Sequence, residues 1–209
     1  RATVESIVEA SRKLFSKVYV DISGELNVSF LLENADMAGS MSAAGWGGTS
    51  PATGWGEMEV YHSAFTFEQD AIVPLGSYDL GFHSLYREDG SGSAPTLTVT
   101  TGKGRYSGKT PLMGTLDYGV TNTSSNNWSS NNGKIQPNGM QSCGQALAHG
   151  EAMAWAKGIA VDASGEMNVK YAVTSSNQWT NFQGFELIFK GVDRSELFVS
   201  LKSAIDQAM

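Results

Sequence analysis

Two runs of alternating residues, separated by a short turn, constrain this chain more than any other feature. Phe65, Phe67, Gln69, Ala71 and Val73 alternate with Thr66, Glu68, Asp70 and Ile72. After the turn, Tyr78, Leu80, Phe82, Ser84 and Tyr86 alternate with Asp79, Gly81, His83, Leu85 and Arg87. A period of two places one apolar face of each strand toward a core. Val73-Pro74-Leu75-Gly76 suits a type I turn, with proline pre-setting φ and glycine closing it. Trp55 to Arg87 therefore reads as one long β-hairpin. A hairpin of this length needs a partner sheet to bury its aromatic face, which predicts an all-β, antiparallel β-sandwich.

Composition narrows the class. At 209 residues the chain can hold one sizeable domain with flanking elements. A net charge of -7, with no basic run, argues against phosphate-backbone recognition and so against nucleic acid as partner. The single cysteine, Cys143, excludes an intramolecular disulfide and a cysteine-rich zinc site. No stretch is long and apolar enough to insert as a membrane-spanning helix. The sequence begins at Arg1 and reads as a piece of a longer chain, so the missing signal peptide says nothing about localisation.

In chain order, Val4, Ile7, Val8, Leu14, Phe15 and Val18 recur at helical spacing, and residues 1–22 are expected to be an N-terminal linker helix. The β-domain is expected over 23–191, with strands near 26–33, 57–73, 78–87, 96–101, 110–116, 155–162, 166–174 and 182–190. A short helix is expected from Gln141 to Glu151. Residues 34–56, which hold two Gly-Trp-Gly triplets, and the polar stretch 117–139 read as long loops, a length usually tied to function or mobility. Asp193 with Glu196 resembles a capping box before Leu197, Phe198, Leu201, Ala204 and Ile205, so 192–209 is expected to be a C-terminal linker helix.

Familiar catalytic and metal patterns fail on spacing. His62, His83 and His149 are far apart and match no ligand motif. Gly108-Lys109-Thr110 lacks the leading glycine of a phosphate loop, since residue 103 is lysine. No Gly-x-Ser-x-Gly elbow occurs. Glu57 and Glu59 share a strand face without an opposing acid, and Glu88 and Asp89 fall in a loop, so neither pair frames a glycosidic bond. Three sequons, Asn27-Val28-Ser29, Asn122-Thr123-Ser124 and Asn127-Trp128-Ser129, match the glycosylation pattern, which carries meaning only for a source that glycosylates.

Tryptophan is distributed unusually. Trp46, Trp55, Trp128, Trp155 and Trp179 lie in glycine-rich or polar stretches or at a strand's first residues. Such indoles either plug the ends of a sandwich or stack on sugar rings while nearby amides and Arg87 bind hydroxyls.

Resemblance sharpens this choice. Gly56 to Arg87, with Glu57-x-Glu59-Val60-Tyr61, Phe65-Thr66-Phe67-x-Gln69, Leu75-Gly76-Ser77-Tyr78 and Leu85-Tyr86-Arg87, resembles a galactose-binding-like β-sandwich module common in gut Bacteroidota glycan-degrading proteins. The family pattern runs aromatic-x-aromatic-x-Gln, Pro-x-Gly-x-Tyr, then Tyr-Arg. Further on, Pro137-Asn138-Gly139-Met140 and the run from Trp179 to Leu187 resemble its closing strand, with Gln183-Gly184 where Asp-Asn is usual. The likeness covers about residues 26–191. It implies a jelly-roll sandwich that binds carbohydrate, secreted or at a cell surface, in a multidomain protein that includes other domains such as a glycoside hydrolase. Some related sandwiches hold a structural calcium, for which this sequence offers no ligand cluster, and no other cofactor is expected.

The expectation is therefore a non-catalytic module that binds polysaccharide or oligosaccharide and targets an attached enzyme or surface protein to it, raising effective concentration. A structural spacer or protein-interaction module is the rival, and a glycoside hydrolase the third option. Counting connections between successive antiparallel strands places 34–56, 88–95, 117–154 and 175–181 at one end of the sandwich. The ligand-binding residues expected there are Trp46, Trp55, Arg87, Asn127, Trp128, Trp179 and Asn181.

Overall fold

The computed structural model describes residues 25–192, apart from 38–41, 49, 50, 91, 122, 125, 126 and 132, together with 198, 199, 202, 203, 205 and 206. The expected helix over 1–22 and the capping box at 193 and 196 lie outside the described residues. Those described beyond 192 have helical backbone.

Two antiparallel sheets face each other. The first holds, in order, β11 (Met153–Val161), β6 (Gly76–Glu88), β13 (Gln178–Gly191), β4 (Glu57–Tyr61) and β3 (Ala52–Gly54), with β1 (Leu26–Asn27) also paired to β13. The second runs β2 (Gly47–Gly48), β5 (Phe65–Ile72), β12 (Glu166–Val173), β7 (Thr96–Thr101) and β8 (Gly104–Lys109). A separate hairpin pairs β9 (Trp128–Asn131) with β10 (Lys134–Pro137) and leads into helix α1 (Met140–Ala148). The antiparallel sandwich expected from the alternating runs is what forms.

The inward set named from the sequence is buried along both β5 and β6. The hairpin expectation is corrected. β5 bonds to β12 and β2, whereas β6 bonds to β11 and β13. The two strands belong to opposite sheets, and residues 73–75 cross between them, with the Tyr78 hydroxyl donating to the Pro74 carbonyl at 2.6 Å. Alternation records that one face is buried; a pair facing across a core satisfies it as well as a pair within a sheet. The expected strand 57–73 likewise divides into β4 and β5, one in each sheet.

Other boundaries move for local reasons. Residues 104–109, read as a turn, form β8 across the two-residue turn Gly102-Lys103. Residues 110–116 form no strand. Leu112 bridges Tyr86, and Met113–Thr115 is a 3-10 turn. Only Leu26 and Asn27 of the expected first strand pair with β13 before a 3-10 turn at Ser29–Leu31. The short helix stands where expected, shifted to Met140–Ala148.

The main core fills the space between the sheets. Phe82 stacks on Phe185 at 4.0 Å, and Phe67 meets Phe182 edge-on at 5.1 Å. Gln69 is the polar member of the inward set on β5, and it is fully used. Its amide donates to the Glu33 and Gly45 carbonyls and accepts from the Glu33 N–H, tying the preceding loop to β5. A bulge between Phe182 and Phe185 lets both rings point inward. At its apex the Ala35 carbonyl would stand 2.6 Å from a Cβ on residue 184, so glycine is required where the resembling family carries asparagine.

A second cluster covers the outer face of the first sheet near the C-terminal end of β6. Leu85 and Trp179 project outward there and are roofed by Met113, Tyr118, Trp128, Cys143, Ala146, Leu147 and Ala152. The described residues between 110 and 152 thus form a cap packed on one sheet, where 117–139 was expected to be a long loop.

Candidate functional site

Strand β4 presents Glu57, Glu59 and Tyr61 on the outer face of the first sheet. Register places Tyr61 opposite Trp179 and Trp179 opposite Arg87, so the three form a row across β4, β13 and β6. In the next row, Glu59 pairs with Asn181 and Asn181 with Leu85. The counting of connections therefore brought Arg87 and Trp179 to one end, in register.

The two residues flanking β4 have left-handed backbone, Trp55 with φ 55° and His62 with φ 48°. Trp55 and Gly56 (φ 78°) form the two-residue turn between β3 and β4. Turns with positive φ at both positions favour Asn-Gly, and a bulky residue in the first position costs about 1–2 kcal/mol. The Trp55 carbonyl packs against α1 at Gly144, where a Cβ would stand 2.3 Å from that oxygen. Trp55 itself is 68% exposed. At the other end of β4, Tyr61 is 57% exposed and stacks on His62 at 4.0 Å.

At the Tyr61 end lies a hydrogen-bonded polar row. The Arg87 guanidinium sits 4.8 Å from the centre of the Trp179 ring. Its Nε donates to Asp89 Oδ1 at 3.1 Å and its Nη1 to Asn138 Oδ1 at 2.9 Å. His62 Nε2 donates to Asp89 Oδ2 at 2.7 Å. Burial works to raise the Asp89 carboxyl, but the bonds from His62 and Arg87 outweigh it and hold the group below the usual carboxylate range. Trp179 Nε1 donates to Glu59 Oε2 at 2.6 Å. The row thus combines ring faces, carboxylates and a fixed guanidinium, a set suited to ligands that offer both apolar faces and hydroxyls.

Glu57 differs from its neighbour. It is fully buried beneath α1, and desolvation, followed by the charge of Glu59, pushes its carboxyl up to about 9, so it is neutral at pH 7. Its surroundings orient the Asn181 amide nitrogen toward Glu57 Oε2 at 3.0 Å, with the amide oxygen accepting from Trp179 Nε1 at 3.2 Å. Burial and the same carboxylates push the Cys143 thiol up.

The structure separates the expected ligand residues. Trp55 is exposed and Arg87 is half-buried in the polar row. Three tryptophans expected to offer ring faces are corrected to interior positions. Trp46 stacks on Phe185 at 4.1 Å in the main core and donates to the Asn34 carbonyl. Trp128 packs on Tyr118 and donates to Gln145 Oε1. Trp179 is the floor beneath Arg87. Each indole nitrogen has its partner inside the protein, which lets a large ring be buried without penalty. Asn181 is likewise buried with its amide occupied. Asn127 is exposed in a left-handed turn (φ 58°), and its carbonyl accepts from Asn138 N and Ser142 Oγ, joining the hairpin to α1. Trp155 lies over Gly81 on the outer face, with Lys157 Nζ 5.4 Å from its ring.

Tyr61, His62 and Asn138 escaped the sequence reading as site residues. The outward set Glu57, Glu59, Tyr61 was the signal for the first, since it continues the strand alternation to an exposed aromatic. Among the described residues, no group of three or more His, Cys, Asp or Glu side chains is placed to hold a metal ion, and no helix is long and apolar enough to cross a membrane.

The fold and this surface define an antiparallel β-sandwich whose outer face carries an aromatic and polar row. No family model matches the chain, and no curated protein matches it by sequence. Solved structures similar to it include a family 61 carbohydrate-binding module in complex with beta-1,4-galactotriose (13% identity, TM-score 0.46, 75% of this chain and 96% of that one). A family 36 carbohydrate-binding module in complex with calcium and xylotriose is also similar (11% identity, TM-score 0.31, 79% and 97%). A third is the enzymatically active domain of bacteriophage CBA120 tailspike protein 4 (10% identity, TM-score 0.41, 75% of this chain), of which this chain spans 21%.

Proposed function

We propose that this domain binds carbohydrate without catalysing its cleavage, through Trp55, Glu59, Tyr61, His62, Arg87, Asp89 and Asn138. One observation carries the reading: β4 is bracketed by two left-handed residues, Trp55 and His62, with exposed Trp55 at one end and exposed Tyr61, stacked on His62, at the other. A fold keeps a bulky residue in that conformation only when its surroundings enforce it, and such sites cluster where ligands bind. Sugar rings stack on exposed aromatics, while Glu59, Arg87 and Asp89 meet hydroxyls. Glu57 has the raised pKa of a general acid, but its enclosure under α1 keeps it from any substrate.

In a longer, secreted or surface-exposed protein, such a domain holds a neighbouring enzyme against its polysaccharide. The sandwich is proposed to fold without residues 1–22 and 192–209. Burial of Trp46, Trp128 and Trp179 favours a spacer as the second reading. Affinity electrophoresis in gels containing soluble plant polysaccharides separates the two. Retardation of the wild type by at least one polysaccharide, lost in a Trp55→Ala, Tyr61→Ala double variant of unchanged melting temperature, is expected. Unretarded migration in every gel favours the spacer.

A further inference from the structure

The first residues of β13 carry two polar side chains into the space between the sheets. Gln178 and Thr180 alternate with Trp179 and share the inward face with Phe182, which packs on Phe65, Phe67 and Phe82. Both are fully buried, and neither the two polar atoms of the Gln178 amide nor the Thr180 hydroxyl has a hydrogen-bond partner among the described residues. The polar groups around them are engaged elsewhere. The Gln178 backbone carbonyl accepts from His62 N at 2.9 Å. Tyr86, opposite Thr180, donates its hydroxyl to Glu88 Oε1 at 3.3 Å. Across the interior, the Ser84, Thr110 and Tyr171 hydroxyls bond to one another.

Buried amides and hydroxyls are ordinarily paired, and three unpaired atoms on one strand face call for a partner from outside the chain. Enclosure and chemistry together select it. A site without exposed surface admits only a small molecule. An amide and a hydroxyl carry no charge to offset the desolvation of an ion. A Cβ on residue 92 would stand 3.1 Å from Gln178 Oε1 and 3.2 Å from Glu88 Cγ, so glycine at that position leaves space beside the amide oxygen. Water both donates and accepts, and in a buried site it makes about three hydrogen bonds.

We propose that Gln178 and Thr180 form an internal water site, and that the water held there is an integral part of the fold. Strand β13 then serves two surfaces at once. Trp179 floors Arg87 on the outer face, while the residues on either side of it are hydrated within. The bound water secures the segment from which the aromatic and polar row is built.

Oxygen-17 relaxation dispersion of the solvent counts long-lived water directly. The wild type is expected to hold about one such water more than a Gln178→Met, Thr180→Val double variant. The melting temperature of the variant should hold or rise, because apolar groups of like shape replace polar atoms that have no bond within the protein. A crystal structure of the wild type should also show ordered water within hydrogen-bond distance of the Gln178 amide and the Thr180 hydroxyl. Equal dispersion in the wild type and the folded variant would overturn the proposal. So would a crystal structure in which the Gln178 amide bonds to a protein group or stands dry, and that measurement decides alone if the double variant does not fold.

Discussion

The two apolar clusters of this domain are bordered by opposite chemistry. Between the sheets, Phe65, Phe67, Phe82, Tyr171 and Phe182 meet ring against ring, and three buried hydroxyls form a chain from Ser84 through Thr110 to Tyr171. The cluster on the outer face borders Glu57, Asn181, Cys143 and the Trp179–Arg87 pair. A sandwich needs the first cluster to exist at all. The second encloses an acid that the fold must hold neutral, a cost no packing requirement explains, and the candidate site is built on its rim.

The sharpest way to break the contrast is to cut into the inter-sheet core. Phe182→Ala removes a ring that touches Phe65, Phe67 and Phe82, and should cost about 3–5 kcal/mol in denaturant unfolding. A loss under about 1 kcal/mol would mean that the sheets are held chiefly from outside.

Next in size, Glu57→Gln should stabilise. The folded-state carboxyl titrates near 9, well above its unfolded value, so the fold keeps a proton that the unfolded chain releases. Stability from this group is complete below the unfolded value and is lost as pH rises toward 9. Glutamine does not ionise, so the variant should be more stable at pH 7 by about 2–3 kcal/mol, with the gap closing near pH 4. Unfolding curves at several pH values measure it, and a pH-independent gap would mean that Glu57 is charged in the fold.

Smallest in energy is Trp55→Asn, which supplies the residue this turn prefers. It should raise stability by about 1 kcal/mol while abolishing retardation in polysaccharide gels. Gain of stability with binding intact would detach the strained turn from function.

Much of the first cluster was legible in the sequence, because an alternating strand announces its inward face residue by residue. Which sheet each strand joined was not, since Phe65–Val73 and Tyr78–Tyr86 alternate identically whether they bond to each other or face each other. β8 was hidden for a different reason. Gly104-Arg105-Tyr106-Ser107-Gly108-Lys109 looks like a turn, and its Gly108 is there because the Trp155 backbone passes so close that a Cβ would collide. At the candidate site, the meeting of Arg87 and Trp179 was readable from strand parity, but parity also put Trp55 beside them, whereas the register sets it at the far end of β4 from that row. The burial of Trp46, Trp128 and Trp179 was not readable, because it depends on Asn34, Gln145 and Glu59 supplying distant acceptors.

The contact between the Trp55 carbonyl and Gly144 ties the hairpin tip to the middle of α1. The helix packs directly on the turn that carries the indole, so a ligand held there should also slow the opening of the helix. A bound glycan should then be felt by amides that never touch it: hydrogen exchange along Met140–Ala148 should slow on binding, as local opening becomes linked to release of the ligand. The cap would report occupancy of the surface beside it on a timescale of minutes to hours, long after individual sugars have come and gone.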